Sequence, residues 1–473
     1  MLSGCGTVSA DFNIAEFEKD ISGISSDTRS IVPGSVFICM KGTKTDSHEM
    51  IGEISGSDAS VVMIDNEAYF GKTGKPTILV DDSRRALAYM WSNFCGRPER
   101  SLRIVAVTGT NGKSSTVAVL RSIFETAGYK CAFIGTVNMP LTTPDPDRLY
   151  PTLKKLAEDG TEYVFMEASS HALYFDKLAP IVFDGGIFTN LTPEHLDFHG
   201  GMDTYADAKA KLFSQCRVSV INADSIYSEK MISAAKGTVR TFSADGKNAD
   251  YSAENIKVTL NGAAYDLCSP NGTSRIRVNC GGGFNVENTL AAAALADSLG
   301  IGMNSIAAGI EAFKGAPGRF EEIPVPGKFR VFIDYAHTPD ALEKLLSGVN
   351  KLKRGNRRLV TVFGCGGDRD KTKRAVMGRI ASTYSDFTII TSDNSRSENP
   401  YKIIADIMEG FDIKKQFVII ADRRQAIEYA VNTAARGDII LLCGKGHEDY
   451  EIDETGRHPF SEKEILKSLT AGA

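Results

Sequence analysis

The sequence predicts an α/β protein in three domains, with sheets that are mostly parallel. Apolar stretches of strand length alternate with helical patterns along most of the 473 residues, and this alternation is typical of parallel sheets covered by helices. The length suits about two to four domains. Polar, proline-containing stretches near residues 96–98 and 317–319 break the pattern. We therefore expect domains at residues 1–98, 99–317 and 318–473.

The first block contains short buried strands and a helix. Residues 35–39 and 60–64 are apolar runs that predict strands. Residues 81–95 predict a helix, which begins on an Asp-Asp-Ser cap.

The second block opens with a strand at residues 103–108, a glycine-rich turn and a helix at 113–127. Further strands are expected at 163–166 and 185–188, and an alanine-rich helix at 286–299. Strands alternating with helices again indicate a mostly parallel sheet.

The third block contains five apolar runs that predict strands, with helical patterns between them. They lie at residues 329–334, 358–363, 387–391, 417–420 and 438–443. This pattern predicts a second parallel α/β unit, and ligands of such sheets gather at the carboxyl ends of the strands.

Composition excludes several classes of function. The net charge of −5 gives no general field for nucleic acid or a membrane surface, so an anionic substrate would need a local basic site. No apolar run approaches the roughly 20 residues that span a bilayer, and no signal peptide is visible. We expect a cytoplasmic protein. Its nine scattered cysteines lack the spacing of a zinc site and are expected to be reduced core residues.

The strongest motif is a glycine-rich turn between a strand and a helix. It reads Gly109-Thr110-Asn111-Gly112-Lys113-Ser114-Ser115. Backbone N–H groups at such a turn can hold phosphate oxygens, Lys113 can neutralise the β- and γ-phosphates, and Ser114 can reach Mg²⁺. The loop is one residue shorter than the common P-loop pattern, but strand, turn and helix follow in the expected order. The motif predicts ATP binding.

Three clusters in the second block carry further polar chemistry. Glu167 ends an apolar strand, as a metal-holding carboxylate beside a P-loop would. Residues 188–200 place two histidines and two acids in one loop after a strand. Lys209 lies near the edge of a helical face formed by Tyr205, Ala208 and Leu212, and its pattern alone predicts a surface lysine, because a buried one is costly unless paired or modified.

In the third block, polar residues follow the strand ends. They form the runs Asp334-Tyr335-Ala336-His337, Gly364 to Arg374, Thr391 to Glu398, and Gly444 to Glu448. Surface loops would not concentrate Gly, Asp, Arg and His so consistently at one edge, so we expect a binding site there.

Together these motifs resemble those of the Mur ligases, the amino-acid-adding enzymes of peptidoglycan precursor synthesis. The shared runs are residues 109–114, Glu-Ala-Ser-Ser-His at 167–171, Asn-Leu-Thr-Pro-Glu-His-Leu-Asp-Phe-His-Gly at 190–200, Phe-Asn-Val-Glu-Asn at 284–288, Gly-Arg-Phe-Glu at 318–321 and Asp-Tyr-Ala-His-Thr-Pro at 334–339. The resemblance covers essentially the whole chain. It implies an N-terminal UDP-binding domain, a central P-loop ATPase domain and a C-terminal Rossmann-like domain.

Residues 25–29 and 32–37 are most similar to the uridine-binding domain of the members that add the third residue of the peptide. The resemblance then implies ATP-dependent ligation to UDP-N-acetylmuramoyl-L-alanyl-D-glutamate, through an acyl phosphate on the D-glutamyl γ-carboxylate. This reaction serves cell wall biogenesis and therefore cell shape and division. It needs small-molecule substrates only, with no nucleic acid or membrane, and the family implies a monomer.

The resemblance also assigns roles to residues. Catalysis and two Mg²⁺ sites fall on Lys113, Ser114, Glu167, His195 and Lys209, the last carbamylated. ATP contacts fall on residues Gly109 to Ser115, Asn285, Asn288, Arg319 and Asp334. Contacts to the UDP substrate fall on Ser26, Thr142, Thr143, Ser169 and Lys177. At Lys177 the family often has arginine, and lysine keeps the charge but loses the bidentate fork.

The loop at Asp393-Asn394-Ser395-Arg396 indicates which amino acid is added. Family members that add meso-2,6-diaminopimelate usually carry Asp-Asn-Pro-Arg, so Ser395 replaces a proline. Arg396 could pair with the distal carboxylate that L-lysine lacks, and an unpaired arginine would penalise lysine. The matching pocket residues are Arg369, Asp393, Asn394, Gly444 and Glu448. We therefore expect meso-diaminopimelate, with L-lysine as the alternative.

Two other functions stay open at this point. A folylpolyglutamate synthase shares the P-loop and the ligation chemistry, but the separate first block and the 393–396 loop argue against it. A regulatory nucleotide-binding protein without catalysis is opposed by the presence of Lys113, Glu167, His195 and Lys209.

Overall fold

The computed structural model describes residues 1–17, 20–42, 45–355 and 357–471. It contains three α/β units, each built on its own sheet, and a small hairpin in the third. The strands named in the sequence analysis all form, with ends that differ by one or two residues.

The first unit has a five-stranded sheet in the order β1-β5-β4-β3-β2. Its elements are β1 (Thr7–Ala10), β2 (Ile24–Ser25), β3 (Val36–Ile38), β4 (Val61–Ile64), β5 (Thr77–Val80), α1 (Ile51–Ser55) and α2 (Ser83–Phe94). Strand β1 is antiparallel to β5, and the other pairs are parallel. Helix α2 begins where the Asp82 carboxylate accepts hydrogen bonds from the N–H groups of Arg84 and Arg85, as the predicted cap requires.

A buried histidine ties two loops of this first unit together. His48 is 1% exposed, with Nδ1 2.6 Å from Asp46 Oδ1 and Nε2 3.2 Å from Asp65 Oδ1. Burial alone would lower the pKa of His48, but these two carboxylates raise it above its ordinary value. His48 therefore keeps its proton in the folded chain at a pH where the unfolded chain has lost it.

This linkage predicts a pH-dependent stability. The contribution of His48 is complete below its unfolded pKa, about 6.5, and is lost as the pH rises through the raised folded pKa. We expect the free energy of unfolding of the first unit to fall as the pH rises above about 6.5, and the fall to be smaller in His48→Gln. Urea titrations followed by the fluorescence of Trp91, the single tryptophan, report on α2. Equal slopes in the two proteins would contradict the assignment.

The second unit has a nine-stranded sheet in the order β14-β13-β12-β11-β10-β9-β6-β8-β7. Its strands are β6 (Arg103–Thr108), β7 (Cys131–Ile134), β8 (Tyr163–Glu167), β9 (Phe183–Phe188), β10 (Cys216–Asn222), β11 (Thr238–Ser243), β12 (Tyr251–Val258), β13 (Ala263–Ser269) and β14 (Gly272–Val278). Its helices are α3 (Lys113–Thr126), α4 (Pro146–Glu158), α5 (Ser170–Tyr174), α6 (Leu196–His199), α7 (Met202–Ala210), α8 (Ser228–Ala234), α9 (Phe284–Ser298) and α10 (Met303–Ala312).

The seven neighbouring strands β12-β11-β10-β9-β6-β8-β7 are all parallel. Strands β13 and β14 extend the sheet in antiparallel pairs. The sequence pattern did not predict this extension. Strands β13 and β14 bury only some of their residues, in part alternately, so no continuous apolar run marks them. The alanine-rich helix α9 is buried almost throughout and packs on both α3 and the sheet.

The third unit has a six-stranded sheet in the order β15-β16-β20-β17-β18-β19. Its strands are β15 (Glu321–Ile323), β16 (Arg330–Asp334), β17 (Leu359–Phe363), β18 (Phe387–Ile390), β19 (Phe417–Ile419) and β20 (Ile439–Cys443), followed by the hairpin β21 (Tyr450–Asp453) and β22 (Gly456–Pro459). Its helices are α11 (Pro339–Leu352), α12 (Thr372–Tyr384), α13 (Pro400–Met408), α14 (Arg423–Asn432) and α15 (Glu462–Ala471). All strand pairs of the sheet except β15–β16 are parallel. The loops after β16, β17, β18 and β20 therefore meet at one edge.

All nine cysteines are free thiols, and six of them are buried. This agrees with the predicted role of these residues in the core. Within the described ranges, every helix is too short or too polar to cross a bilayer.

Candidate active site

The glycine-rich turn forms a P-loop between the buried strand β6 and helix α3. Gly109 has a φ of 151° and Gly112 a φ of 87°, values that residues other than glycine rarely adopt. A Cβ on Gly109 would lie 1.9 Å from Thr189 Oγ1, and one on Gly112 would lie 2.5 Å from Asn288 Oδ1. Both positions therefore need glycine, because the backbone has a positive φ there and a Cβ would clash with a neighbouring side chain.

Lys113 curls over this loop. Its Nζ donates hydrogen bonds to the carbonyl oxygens of Gly109 at 2.9 Å and Thr110 at 2.8 Å. Burial lowers the pKa of Lys113. An arriving phosphate group would favour the charged ammonium by pairing with it. Ser115, also in the first turn of α3, is buried.

Glu167 lies beside the P-loop because β8 pairs directly with β6. Ser114 Oγ donates to Glu167 Oε1 at 3.0 Å. Thr136, in the loop after β7, donates its N–H to Oε1 at 3.0 Å and its hydroxyl to Oε2 at 3.1 Å. The carboxylate is 1% exposed and is held by these donors in a fixed position next to Ser114.

Lys209 is buried, and its pattern-based prediction as a surface residue is wrong. It is 1% exposed. Its Nζ donates to the carbonyl of Gly109 at 2.8 Å and lies 4.6 Å from the ring centroid of Tyr205. Helix α7 packs under the P-loop with most of its residues buried, so a simple amphipathic pattern does not apply. Burial, aided by Lys113, lowers the pKa of Lys209 well below its usual value.

His195 directly precedes α6, in a left-handed conformation with a φ of 55°, and its ring centroid is 6.4 Å from that of Tyr205. Its ring centroid is 4.9 Å from that of His171. Burial and the nearby cations, among them Lys113 and Lys209, lower the pKa of His195 to about 4. The imidazole is therefore neutral at pH 7, which is the form that binds a metal.

The donors around the P-loop fit magnesium. Among the described residues no three His, Cys, Asp or Glu side chains form a cluster that could hold a metal alone. Mg²⁺ is usually held by one or two carboxylates with water and substrate phosphates. The hydroxyl of Ser114 and the buried carboxylate of Glu167, 3.0 Å apart, supply hard oxygen ligands of this kind.

The residues expected to contact ATP line the junction between the second and third units. Asn285 and Asn288 are buried on α9, where Asn288 Nδ2 lies 3.5 Å from Asn285 Oδ1. Arg319 crosses from the third unit, and its Nη2 donates to Ser114 Oγ at 3.3 Å. Asp334 ends β16 and accepts the N–H groups of Phe320 and Ala336 at 2.7 Å each. Burial raises the pKa of Asp334.

Three of the five residues expected to contact the UDP substrate, Thr142, Thr143 and Ser169, lie close to Glu167. Thr142 accepts the hydroxyl of Thr136 at 3.1 Å, and Thr143 donates to Glu167 O at 2.8 Å and to Ser169 Oγ at 3.2 Å. Lys177 forms an ion pair with Asp145 at 2.5 Å, in the same part of the second unit. Ser26 lies in the first unit, and no side-chain hydrogen bond within the described ranges joins it to the other four.

The six residues expected to bind the amino acid come from the three adjacent loops after β17, β18 and β20. Arg369 is exposed, Arg396 is half-buried, and Asp393 and Asn394 are buried. Arg396 Nη1 donates to Gly367 O and Asn394 O, while its Nε and Nη2 have no hydrogen-bond partner among the described residues. These free donors could accept a bidentate carboxylate.

Glu448 and Gly444 complete this pocket. Asn394 Nδ2 donates to Glu448 Oε2 at 2.9 Å. Gly444 has a φ of 116°, and a Cβ there would lie 2.6 Å from Asp393 Oδ2. The absence of a side chain at Gly444 therefore leaves room for the Asp393 carboxylate.

A continuous path of contacts joins the P-loop to the amino-acid pocket. Arg319 bonds to Ser114 and stacks over the ring of Tyr335, 4.5 Å from its centroid. The Tyr335 hydroxyl donates to Glu448 Oε1 at 3.3 Å, and Glu448 accepts from Asn394. The two halves of the candidate site therefore face one another.

Two further pairs close the same junction, and the sequence pattern did not predict either pairing. Glu194 lies 3.3 Å from His337, and Asn111 Nδ2 donates to Asp340 Oδ2 at 2.9 Å. Each pair joins residues more than a hundred positions apart, which no local pattern can reveal. Thr136, which donates to Glu167, was also missed, because the two residues are 31 positions apart and belong to the ends of different strands.

Comparison with known proteins places this geometry in a family. Residues 107–296 match the Mur ligase middle domain, and residues 318–446 match the Mur ligase, glutamate ligase domain. A relative from Syntrophomonas wolfei subsp. wolfei, named UDP-N-acetylmuramoyl-L-alanyl-D-glutamate--2,6-diaminopimelate ligase, is 40% identical, with 96% of each chain covered. The chain belongs to the Mur ligase family. These matches confirm the family predicted from the motifs and the prediction of an ATP-dependent ligase.

Two other similar proteins carry the same name. One, from Caldanaerobacter subterraneus subsp. tengcongensis, is 41% identical over 96% of this chain and 95% of its own. The other is a solved structure that is 31% identical and superposes with a TM-score of 0.67, covering 96% of this chain and 95% of its own. This likeness confirms the predicted fold class, an α/β protein in three domains.

Proposed function

We propose that this enzyme adds meso-2,6-diaminopimelate to UDP-N-acetylmuramoyl-L-alanyl-D-glutamate, with ATP as the energy source. The observation that carries the proposal is the contact path from Ser114 through Arg319, Tyr335 and Glu448 to Asn394. It places a phosphate-binding loop opposite a pocket that offers arginine and carboxylate groups together. The names of the relatives at 40% and 41% identity support the same reaction.

The reaction would proceed in two steps. An oxygen of the D-glutamyl γ-carboxylate attacks the γ-phosphorus of ATP, the bond to ADP breaks, and an acyl phosphate forms. The amine of the incoming amino acid then attacks the acyl carbon, loses a proton, and phosphate leaves with the bonding electron pair. Phosphoryl transfer depends mostly on positioning and charge neutralisation. The P-loop amides and Lys113 would hold the ATP phosphates, and Asn285, Asn288, Arg319 and Asp334 the nucleoside.

Other residues would hold the second substrate and the metal. Ser26, Thr142, Thr143, Ser169 and Lys177 would contact the UDP substrate. Ser114, Glu167, His195 and a carbamylated Lys209 would hold two Mg²⁺ ions, which neutralise the charge that develops on the phosphates.

Carbamylation of Lys209 fits its surroundings. Burial lowers the pKa of Lys209 well below its usual value, which favours the neutral amine, the form that can attack CO₂ to give a carbamate and release a proton. The product is an anion beside Lys113, so the modification replaces a costly buried amine by a paired carbamate.

This proposal predicts a large loss of activity in Lys209→Ala. We expect kcat to fall about 10²-fold because a charged group that positions the metal is removed. Acetate or formate should restore part of the activity by filling the vacated space with a carboxylate. The control is Lys211→Ala, whose lysine is 44% exposed and pairs with Asp176. Nuclear magnetic resonance with isotopically labelled bicarbonate should show a carbamate signal that Lys209→Ala lacks. A fully active Lys209→Ala enzyme would contradict the role.

A phosphate-release assay tests the ligase reaction itself. We expect release only when ATP, the UDP-dipeptide and the amino acid are all present. Release with a folate substrate instead would favour a folylpolyglutamate synthase, and ATP binding without release in any mixture would favour a regulatory protein. L-lysine stays the alternative amino acid until the two are compared directly.

We further propose that the domains divide at residues 98 and 317, and that the enzyme works as a monomer in the cytoplasm. The division is supported by the three separate sheets, whose strands end before or begin after these points.

A further inference from the structure

Two arginines in the amino-acid pocket face each other although they carry the same charge. Arg396 Nη1 lies 3.0 Å, and Arg369 Cγ 3.8 Å, from the position that a Cβ on Gly366 would occupy. The two side chains therefore meet over this glycine. Burial and the charge of Arg369 lower the pKa of Arg396. Some other part of the structure must hold the pair together before a carboxylate arrives.

A third arginine lies beneath this pair. Arg374, on α12, is fully buried. Its Nη2 and Nη1 donate to Glu398 Oε1 and Oε2 at 2.9 and 3.0 Å, in a bidentate ion pair. Its remaining contacts are Asp406 Oδ2 at 2.7 Å and Gly366 O at 3.2 Å. One guanidinium thus connects the loop after β17, the loop after β18 and helix α13.

Glu398 extends this connection to the residues beside both pocket arginines. It accepts the N–H of Asp368 at 2.6 Å. Asp368 in turn accepts the N–H and hydroxyl of Ser397. Asp368 precedes Arg369, and Ser397 follows Arg396, so the two loops are bonded to each other directly at the two arginines.

The backbone at these positions is strained. Asp368 has a φ of 51° and Arg396 a φ of 52°, left-handed values that are unfavourable for residues other than glycine. Such conformations persist only where the surrounding contacts fix them. The ion pair between Arg374 and Glu398 supplies contacts of this kind on both loops.

We propose that Arg374 and Glu398 are positioning residues that set the spacing of Arg369 and Arg396, and thereby select an amino acid with a distal carboxylate. The inference rests on the proposed addition of meso-diaminopimelate. Neither residue touches the substrate. The ion pair bonds both loops beside two like charges, whose repulsion a carboxylate between them would relieve. L-lysine would instead bring its ammonium against them and be rejected.

The test compares Michaelis constants in variants of the full chain. Glu398→Gln keeps the shape of the side chain and removes its charge, and Arg374→Met removes the guanidinium. We expect the KM for meso-diaminopimelate to rise about tenfold or more in both, because a small misplacement of binding groups is costly. The KM for ATP should change less than about twofold, and the preference for meso-diaminopimelate over L-lysine should shrink. Arg374→Lys should recover only part of the loss, since lysine lacks the fork.

Arg358→Met is the matched control. Arg358 pairs with Asp438 at 2.6 Å at the opposite, amino-terminal ends of β17 and β20, so its loss should leave both Michaelis constants unchanged. If Arg374→Met does not fold, Glu398→Gln alone decides. A normal KM for meso-diaminopimelate in folded Glu398→Gln, or an equal rise in the KM for ATP, would overturn the inference. Wild-type preference for L-lysine would instead overturn the proposed substrate.

Discussion

Replacing Lys113 by methionine is expected to lower kcat about 10³-fold, because the only side-chain cation in the P-loop run, residues 109–115, would be lost. Methionine keeps the length and the apolar stem of lysine, so the fold should be preserved. Nζ of Lys113 now bonds to two loop carbonyls and would turn to the ATP phosphates. Steady-state rates of phosphate release measure the effect, and the thermal unfolding midpoint checks that the variant is folded.

Lys344→Met provides the control for this change. Lys344 is 44% exposed and pairs with Asp340 on the surface of α11, on the third unit's side of the junction. Its loss should leave kcat within about twofold, since an exposed ion pair contributes little. A near-normal kcat in folded Lys113→Met would contradict the proposed role of Lys113 in phosphoryl transfer.

Arg396→Ala is expected to lower kcat/KM for meso-diaminopimelate about 10²-fold, since truncating one partner of a partly buried charge pair leaves the other unpaired. Binding of ATP should be unchanged, because the ATP contacts lie at the other end of the path through Tyr335. Ligation of L-lysine should be affected much less, as it has no distal carboxylate. Initial rates with each amino acid give the three values.

Arg424→Ala serves as the comparison for Arg396→Ala. Arg424 is exposed on α14 of the same domain, and its loss should leave all rates unchanged. A parallel loss of meso-diaminopimelate and L-lysine ligation in Arg396→Ala would mean that Arg396 supports the loop and does not select the substrate.

The parts of the fold that local pattern controls could be predicted from the sequence. Strands such as β6, β8 and β17 are fully or nearly fully buried and appear as continuous apolar runs. The P-loop could be predicted because its glycines, its lysine and its flanking strand are consecutive. In contrast, β13 and β14 pair antiparallel and bury only part of their residues, which leaves a weak signal.

The site depended on long-range packing in ways that the residues alone do not reveal. Lys209 has a pattern typical of a surface residue, yet α7 carries it under the P-loop, where the carbonyl of Gly109 accepts a hydrogen bond from its Nζ. Arg374 belongs to a basic run, Lys371 to Arg374, that looks solvated, yet it is fully buried against Glu398 and Asp406. Such placements follow from the pairing of distant strands, which one sequence does not determine by its local pattern.

The central claim is that the pocket around Arg369 and Arg396 selects meso-diaminopimelate. The most direct measurement offers the wild-type enzyme equal concentrations of meso-diaminopimelate and L-lysine, with ATP and UDP-N-acetylmuramoyl-L-alanyl-D-glutamate, and determines the product by mass spectrometry. We expect the meso-diaminopimelate product to exceed the L-lysine product by about 10²-fold or more. Equal amounts, or a majority of the L-lysine product, would contradict the claim.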